Sequence, residues 1–456
     1  MEFQAVVMAA GTGSRMTDLT SRCPKALLPV GNYPLLWYPV NALERAGFEE
    51  VIVVVLESFV GEAQRLLCEV CDVKIKIDFV CIPDSDYLGT ADSLRSIKDK
   101  IKTDVLVVSC DLISDISLHQ VANIHRAYDS SITMLLSPLP EQYADVPAPG
   151  VKSRKKAERD FIGFDESGKR VLFLTSEADL EEYITFKKSL LKKHPYINIR
   201  SRITDCHLYF MKKWVVNFVA ENKKISTIKG ELIPYLVKKQ FSKSKPLEVP
   251  QPDVSLASMD TKSDIHSFTS EDQLTRMVRD LSTWIDHEGD MEECFHGDNI
   301  RCYAYIQEEG FCVRVNTLGT YCEANRQIPR LLGTLAPNKE INNIHPSTTI
   351  KEKSQIGSDC LVSEGVSIGE RVSVKRSVIG RHCSLGDKVK VANSVIMDHV
   401  SILEGSTITG SIVCDRATIC EKCELKDCIV GHSKTIIAMG KFTNEAIIDV
   451  DKMMEI

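Results

Sequence analysis

The sequence predicts an α/β domain with a largely parallel sheet, followed by a parallel β-helix. In the first third of the chain, short runs rich in Val and Ile alternate with longer amphipathic stretches. In the last third, aliphatic side chains recur about every six positions. A length of 456 residues, at about 150 residues per domain, provides for two or three cores, so a single small module is excluded.

The first third has the alternation expected of βαβ units. Such units build a parallel sheet that is covered by helices on both faces. Ligands of these sheets bind beyond the carboxyl ends of the strands, so chemistry is expected just after such ends. The predicted strands are residues 4–8, 51–56, 74–80, 105–110 and 132–136, and the predicted helices are 35–46 and 88–98.

The C-terminal repeat fits neither a helix nor a free-standing strand. A helix needs apolar residues every three or four positions, and an amphipathic strand every two. From Val374 onward the intervals are five or six residues and repeat every 17, which is typical of a parallel β-helix with three short strands per coil. Gly357, Gly369, Gly380 and Gly386 are expected near corners. The predicted interior positions are Ile350, Ile356, Val362, Ile368, Val374, Ile379, Leu385, Val391, Ile396, Ile402, Ile408, Val413, Ile419, Leu425 and Val430.

Composition divides the chain into five parts. Residues 1–240 and 300–335 are assigned to the α/β domain, 336–440 to the β-helix, and 441–456 to a tail. Residues 241–299 are rich in Ser, Asp, Pro and Lys, which predicts a linker or insertion. The basic segments 146–159 and 187–202 are predicted to be solvated loops.

Composition also excludes several classes of protein. The chain has 56 basic and 63 acidic residues, and this net charge of −7 argues against a protein that coats nucleic acid. The chain contains no apolar run of about 20 residues, so no membrane span is predicted. The N-terminus lacks a secretory signal, and this predicts a cytosolic protein. The sixteen cysteines are therefore expected to be reduced. Zinc is a weak alternative at two sets of closely spaced cysteines, Cys68/Cys71 and Cys420/Cys423/Cys428.

A glycine-rich turn follows the first predicted strand. The motif Gly11-Thr12-Gly13 is followed by Arg15, and a Pro-Lys pair adds Lys25. Glycines let consecutive backbone N–H groups close around phosphate oxygens, and the two cations can neutralise a polyphosphate. A P-loop would need Gly-Lys-Ser/Thr, and a dinucleotide fingerprint a third glycine, and both are missing here. The combination of the two glycines with Arg15 and Lys25 nevertheless predicts a nucleotide-binding turn.

Two further residues are assigned to the same site because they follow predicted strands. Gly89 lies in Leu-Gly-Thr-Ala, where a small residue would let a base approach the backbone. Asp111 follows the strand at 105–110 and is a candidate Mg²⁺ ligand, since this cation prefers one or two carboxylates together with phosphate oxygens.

With these motifs, residues 1–330 resemble the sugar-nucleotide pyrophosphorylase superfamily. The resemblance implies a nucleotidyltransferase-like, Rossmann-type mixed sheet, to which many members append a left-handed β-helix of hexapeptide repeats. The whole chain, from MEFQAVVMAAGTGSRM onward, resembles the gamma-subunit family of eukaryotic translation initiation factor 2B. That resemblance implies a component of the guanine nucleotide exchange factor that reloads translation initiation factor 2 with GTP. It also implies pairing with an epsilon subunit, and assembly with alpha, beta and delta subunits.

The chain departs from the active pyrophosphorylases at the metal site. Active members hold Mg²⁺ with two aspartates, and Asp111 matches the first. The second falls on Arg314, in an alignment made through Tyr321 and the Ala-Asn pair that follows it. A guanidinium cannot ligate a cation. The family's Glu-Lys-Pro motif is missing between 162 and 203, and its Asn-Ala-Gly is replaced by Asp205-Cys206-His207.

Three functions are weighed on this basis. The preferred one is a non-catalytic subunit with no required cofactor, whose pocket at Gly11, Thr12, Gly13, Arg15, Lys25, Gly89 and Asp111 holds GTP or ATP without turnover. A purely structural role for the glycine turn is an equal alternative to nucleotide binding. The second function is an active sugar-1-phosphate nucleotidyltransferase of the GDP-mannose pyrophosphorylase type. The third is a β-helix acyltransferase with His382, His399 or His432 as base, although these histidines are expected to be solvated.

Overall fold

A computed structural model provides the fold. It describes residues 2–11, 13–84, 88–138, 149–150, 159–180, 183–242, 265–269, 277, 281, 298–337 and 342–448. Most of the predicted linker 241–299, most of the basic segment 146–159 and the end of the predicted tail lie outside these residues. Within the described ranges, no helix combines the length and apolar composition needed to cross a membrane.

The first domain is an α/β sandwich around a seven-stranded mixed sheet with the order β13-β8-β12-β6-β1-β4-β5. Strand β12 runs antiparallel to both of its neighbours, and the other pairings are parallel. The strands of the domain are β1 Phe3–Met8, β2 Pro29–Val30, β3 Tyr33–Pro34, β4 Glu50–Leu56, β5 Lys76–Ile82, β6 Asp104–Ser109, β7 Leu112–Ser114, β8 Ile132–Pro138, β9 Asp160–Phe164, β10 Val171–Ser176, β11 Asn198–Arg200, β12 Ile203–Met211, β13 Cys302–Ile306 and β14 Cys312–Arg314.

Alternate side chains of the sheet strands enter two separate apolar cores, one on each face of the sheet. Helices cover both faces and complete these cores. Val7 of β1 belongs to one core and Val6 to the other. The α-helices are α1 Thr17–Thr20, α2 Trp37–Arg45, α3 Val60–Gln64, α4 Thr90–Ser96, α5 Leu118–Ala127, α6 Lys188–Lys193, α7 Lys213–Glu221, α8 Ile233–Lys239, α9 Ile265–Phe268 and α10 Leu318–Leu335.

The predicted strands and helices all occur, with shifted ends. Strand β5 begins two residues later than predicted, because Lys76 is the first residue in register with Glu50, where β4 begins. The basic segment 187–202 is not the predicted loop. It contains α6 and β11, and β11 pairs with β9 in a separate three-stranded sheet. Leu190 of α6 is buried, so this helix packs on the domain.

The second domain is a parallel β-helix of three six-stranded faces, which confirms the predicted fold class. From the second coil onward, strands of successive coils pair at the predicted spacing of 17 residues, as in Val374 with Val391. The first face contains Thr349–Ile350, Ser367–Ile368, Ser384–Leu385, Ser401–Ile402, Thr418–Ile419 and Thr435–Ile436. The second contains Gln355–Ile356, Ser373–Lys375, Lys390–Ala392, Thr407–Thr409, Glu424–Lys426 and Lys441–Thr443. The third contains Leu361–Val362, Val378–Ile379, Val395–Ile396, Ile412–Val413, Ile429–Val430 and Ala446–Ile447.

Two details of the β-helix differ from the sequence-based expectation. Ile350 was predicted to be interior but is 45% exposed, because it belongs to the first coil and no coil covers it on that side. The β-helix continues to Ile447, so the tail predicted from 441 begins with a further coil. Gly380 directly follows a strand, near a corner as predicted, but without the left-handed conformation that glycine can adopt there. A Cβ there would collide with Asp398 of the next coil, so its small size permits close stacking of coils.

The third face of the β-helix packs on the α/β domain. Its strands carry apolar residues at both positions, and outward-facing Val378 and Val395 join the same core as Ile328 and Leu332 of α10. Hydrogen bonds and an ion pair flank this contact, including Arg330 Nη2 to Asp359 Oδ2 at 2.7 Å. The contact fixes α10, and with it the short strand β14 that precedes this helix at the edge of the site.

Candidate functional site

The glycine turn after β1 lies at the carboxyl edge of the sheet. Beyond Met8 the chain passes Gly11 and Gly13 and enters a 3-10 turn, Ser14–Met16. Gly13 has a φ of 75°, and a Cβ there would lie 2.8 Å from Thr20 Cγ2, so glycine is required at this position. A Cβ at Gly11 would meet no atom within 4 Å, which leaves open space beside the turn. Thr12, predicted for the same turn, lies outside the described residues.

A cavity of about 350 Å³ opens beside this turn. Strands β1 and β6 are adjacent and parallel, so the segments that follow them meet at this edge. The cavity is large enough for a small organic ligand. The predicted site residues that line it are Gly11, Gly13, Arg15, Lys25 and Asp111. The other polar side chains in its wall belong to Ser14, Thr90, Ser93, Ser109, His207, Tyr209, Arg314 and Asn316.

Asp111 is the centre of a buried ion cluster. Its side chain is 1% exposed and accepts two hydrogen bonds from Arg314, Nε to Oδ1 at 3.1 Å and Nη2 to Oδ2 at 2.8 Å. Lys25 Nζ contacts Oδ2 at 2.5 Å. Burial by itself would raise the pKa of Asp111, but the charges of Arg314 and Lys25 outweigh it and hold the pKa well below its usual range. Asp111 is therefore an anion that is fully engaged by protein cations.

These residues do not fit a Mg²⁺ site. Mg²⁺ prefers one or two carboxylates with phosphate and water oxygens in near-octahedral geometry. Here both carboxylate oxygens of Asp111 are bound by cations, Oδ1 by Arg314 and Oδ2 by Arg314 and Lys25. Among the described residues, no group of three or more His, Cys, Asp or Glu side chains is arranged to hold a metal ion. The cations beside Asp111 are the two fixed monovalent charges of Lys25 and Arg314.

The replaced motif Asp205-Cys206-His207 forms an irregularity in β12. Pairing with β8 changes register between Asp205 and Tyr209, and His207 adopts the left-handed conformation, with a φ of 53°. Asp205 stabilises this bend, since Oδ1 accepts the His207 N–H at 2.7 Å and Oδ2 accepts the Tyr209 hydroxyl at 2.7 Å. Burial raises the pKa of the Asp205 carboxyl. The bend turns the imidazole of His207 into the cavity wall.

His207 was not predicted to belong to the site. Burial, and then the charge of Arg314, lower the pKa of its imidazole well below the usual range, so the ring is neutral. Its Nε2 is buried and has no hydrogen-bond partner among the described residues. Such a nitrogen is available to a ligand in the cavity. The signal in the sequence was Asp205-Cys206-His207, where the resemblance implies Asn-Ala-Gly.

Gly89 has a different role from the one predicted. Its neighbours Leu88 and Thr90 line the cavity, but a Cβ at Gly89 would collide with the backbone carbonyl of Ser226. That carbonyl accepts the Ala91 N–H at 2.9 Å. The absent side chain therefore permits the close contact between α4 and the segment before α8, and does not open space for a base.

Comparisons with known proteins divide the chain in the same way as the fold. A nucleotidyl transferase family model matches residues 4–151, and a model of the eIF2B subunit epsilon LbH domain matches residues 342–441. The translation initiation factor eIF2B subunit gamma of Dictyostelium discoideum is 30% identical over 405 residues, which is 84% of this chain and 88% of that protein. The Schizosaccharomyces pombe protein of the same name is 31% identical over 379 residues, or 82% and 74%.

The chain belongs to the eIF2B gamma-subunit family. The resemblance inferred from the sequence is confirmed, and the chain is a translation initiation factor subunit by family. Likeness to sugar nucleotidyltransferases is weaker. Mannose-1-phosphate guanylyltransferase 1 of Arabidopsis thaliana is 24% identical over 142 residues, which is 30% of this chain and 39% of that enzyme.

The nucleotidyl transferase match covers only one part of the site. The nucleotidyl transferase match contains the glycine turn, Lys25 and Asp111, whereas Arg314 and His207 lie beyond it. Arg314, which binds Asp111, lies on β14, outside the matched residues.

Proposed function

We propose that the chain is a non-catalytic structural and regulatory subunit of the guanine nucleotide exchange factor that reloads translation initiation factor 2 with GTP. The observation that carries the proposal is the bidentate contact of Arg314 with Asp111. Nucleotide exchange needs no covalent chemistry, since a factor that binds the nucleotide-free state more tightly lowers the barrier to release. A subunit of such a factor has no need for the metal chemistry that this ion cluster replaces.

The alternative, an active sugar-1-phosphate nucleotidyltransferase, is less well supported. Nucleotidyl transfer depends on positioning and on neutralising the charge that develops on the phosphates, which a metal held by carboxylates does in this superfamily. With Asp111 held by Arg314 and Lys25, a divalent ion would approach two positive charges instead of a free carboxylate. We expect no measurable turnover.

The cavity itself is expected to hold GTP or ATP without turnover. Asp111 cancels one of the two charges of Lys25 and Arg314, so the cluster keeps one excess positive charge at the wall of the cavity. Arg15 lines the same wall, and the turn at Gly13 adds backbone N–H groups. Because the excess charge is supplied by the protein, binding is expected to need no Mg²⁺.

Partners follow from the family and not from the site. We expect the epsilon subunit to be the direct partner, the alpha, beta and delta subunits to complete the assembly, and translation initiation factor 2 to be its substrate, all in the cytosol. No membrane and no sequence-specific nucleic acid is required. Native mass spectrometry of the chain purified from its own cells tests this assignment. A chain that is always monomeric and free of these subunits would overturn it.

Two measurements separate the inactive pocket from an active enzyme. Calorimetry with GTP and with ATP, each in Mg²⁺ and in EDTA, should give similar affinities in both buffers and weaker binding for Arg15→Ala. Lys188→Ala, on the exposed surface of α6, is the matched control. Binding that Arg15→Ala leaves unchanged would remove the pocket but not the subunit assignment. Release of pyrophosphate from nucleoside triphosphate and a sugar phosphate would overturn the non-catalytic assignment.

A further inference from the structure

Two cysteines from distant parts of the sequence meet beneath the ion cluster. The Sγ atoms of Cys206 and Cys312 lie 3.3 Å apart, although the residues are separated by 106 positions. Cys206 is 2% exposed and Cys312 is 8% exposed. Neither residue is used by the proposed function, and the described cysteines are all free thiols.

Local structure explains why these sulfurs meet. Cys206 lies within the irregular part of β12, where pairing with β8 changes register. Cys312 is the first residue of β14, a three-residue strand that is paired with β7. The bend in β12 and the short pairing of β14 fix both backbones, so the sulfur contact is part of the packed core and not a surface encounter.

The two sulfurs are in direct non-bonded contact. A disulfide has an S–S distance of about 2.05 Å, so the sulfurs need to approach by about 1.2 Å. The hydrogen bond between the sulfurs, followed by those from Ser114 and Ser137, lowers the pKa of the Cys312 thiol despite its burial. Cys312 is also the more exposed of the two, at 8% against 2%, so peroxide reaches it first, and its thiolate is the nucleophile in thiol oxidation.

We propose that Cys206 and Cys312 are an oxidation site, at which a peroxide converts the two thiols into an intramolecular disulfide. The Cys312 thiol loses its proton, and the thiolate attacks one peroxide oxygen. The O–O bond breaks, Cys312 becomes a sulfenic acid, and the released hydroxide takes up that proton and leaves as water. The sulfur of Cys206 then attacks the sulfur of Cys312, the S–O bond breaks, and a second water leaves with the proton of Cys206. Two thiols lose two electrons in total, and the peroxide is reduced to two waters.

The disulfide acts on the neighbouring ion cluster. Arg314 is two residues from Cys312 and follows it on the same short strand, and His207 adjoins Cys206. A covalent link between β12 and β14 therefore fixes the side of the cavity that carries Arg314 and the unpaired His207 Nε2. In the reduced chain these strands are joined by packing and hydrogen bonds alone.

Peptide mapping of the purified full chain tests the proposal without any variant. The reduced protein is titrated with hydrogen peroxide, remaining thiols are alkylated, and the digest is analysed by mass spectrometry. We expect a cross-linked peptide joining Cys206 to Cys312, reversed by dithiothreitol, at doses that leave most of Cys302 alkylated. Cys302 is the internal comparison because it is a buried thiol, 0% exposed, in the same sheet as Cys206. A melting temperature raised by about 5 °C should accompany the cross-link.

Variants add a second arm. Cys206→Ser should abolish the cross-link and leave Cys312 as a sulfenic or higher acid, whereas Cys302→Ser should leave the cross-link intact. The proposal is overturned if peroxide oxidises exposed Cys68 and Cys81 while no Cys206–Cys312 cross-link forms. It is also overturned if Cys206 and Cys312 pair with other cysteines.

Discussion

Replacing Arg314 with methionine tests whether the ion cluster stabilises the fold as its geometry indicates. Arg314→Met removes both hydrogen bonds to Asp111 and leaves this 1% exposed carboxylate with Lys25 alone. Breaking a buried ion pair costs about 3–5 kcal/mol, because the remaining charge is uncompensated. Since Lys25 keeps one contact, we expect the free energy of unfolding to fall by about 2–3 kcal/mol at neutral pH.

The pH dependence of this loss follows from the sign of the shift. In the wild type, the pKa of Asp111 is held well below its usual range, so its stabilisation is complete above the unfolded pKa and is lost as pH falls through the folded pKa. Without the charge of Arg314, burial raises the pKa of Asp111 again. Acid then protonates a carboxylate whose charge Lys25 alone compensates. The difference between wild type and Arg314→Met should therefore be largest at pH 7.5 and smaller at pH 4.5.

Urea unfolding followed by tryptophan fluorescence measures this difference, since Trp37 and Trp214 both lie in the α/β domain. Lys100→Met is the matched control. It removes a contact of 2.6 Å with Asp78 in the same domain, but both side chains are more than a third exposed, so a loss of about 0–1 kcal/mol is expected. The reasoning is refuted if Arg314→Met costs no more than Lys100→Met, or if its cost does not decrease in acid.

Three further substitutions test packing. Val395→Asp buries a charge between the third face of the β-helix and α10, and should destabilise the chain by about 3–5 kcal/mol. Ser384→Asp, on the first face, should be nearly neutral. Thermal unfolding of the two variants measures this difference between the faces. Gly31→Ala, at a φ of 57° and against α10, should cost about 1–3 kcal/mol in urea unfolding, and a neutral result would contradict the contact. Gly89→Ala should lower the melting temperature through its clash with Ser226. Lost nucleotide binding without lost stability would restore the predicted role of Gly89.

Much of the site could be predicted because it depends on residues that follow strands. The carboxyl ends of adjacent parallel strands meet at one edge, so Gly13 and Asp111 could be assigned to one site without coordinates, and the Pro-Lys pair added Lys25. His207 could not be assigned in this way, because its place in the cavity depends on the bend in β12. The same reasoning placed Gly89 near the site but misjudged its contact, since a glycine can accommodate a ligand or another segment of the chain.

The sequence by itself determined the architecture, because periodicity is local. Val and Ile runs specify the sheet strands, and a 17-residue repeat specifies the coils. It also drew attention to Arg314, through the alignment with the pyrophosphorylases that the resemblance implies. Tertiary structure alone decided what Arg314 does there, since its bond to Asp111 joins residues 203 positions apart. It likewise decided which face of the β-helix is covered and that Cys206 meets Cys312. Contacts between distant segments depend on how bends and packed faces bring the chain together, and no local pattern records that.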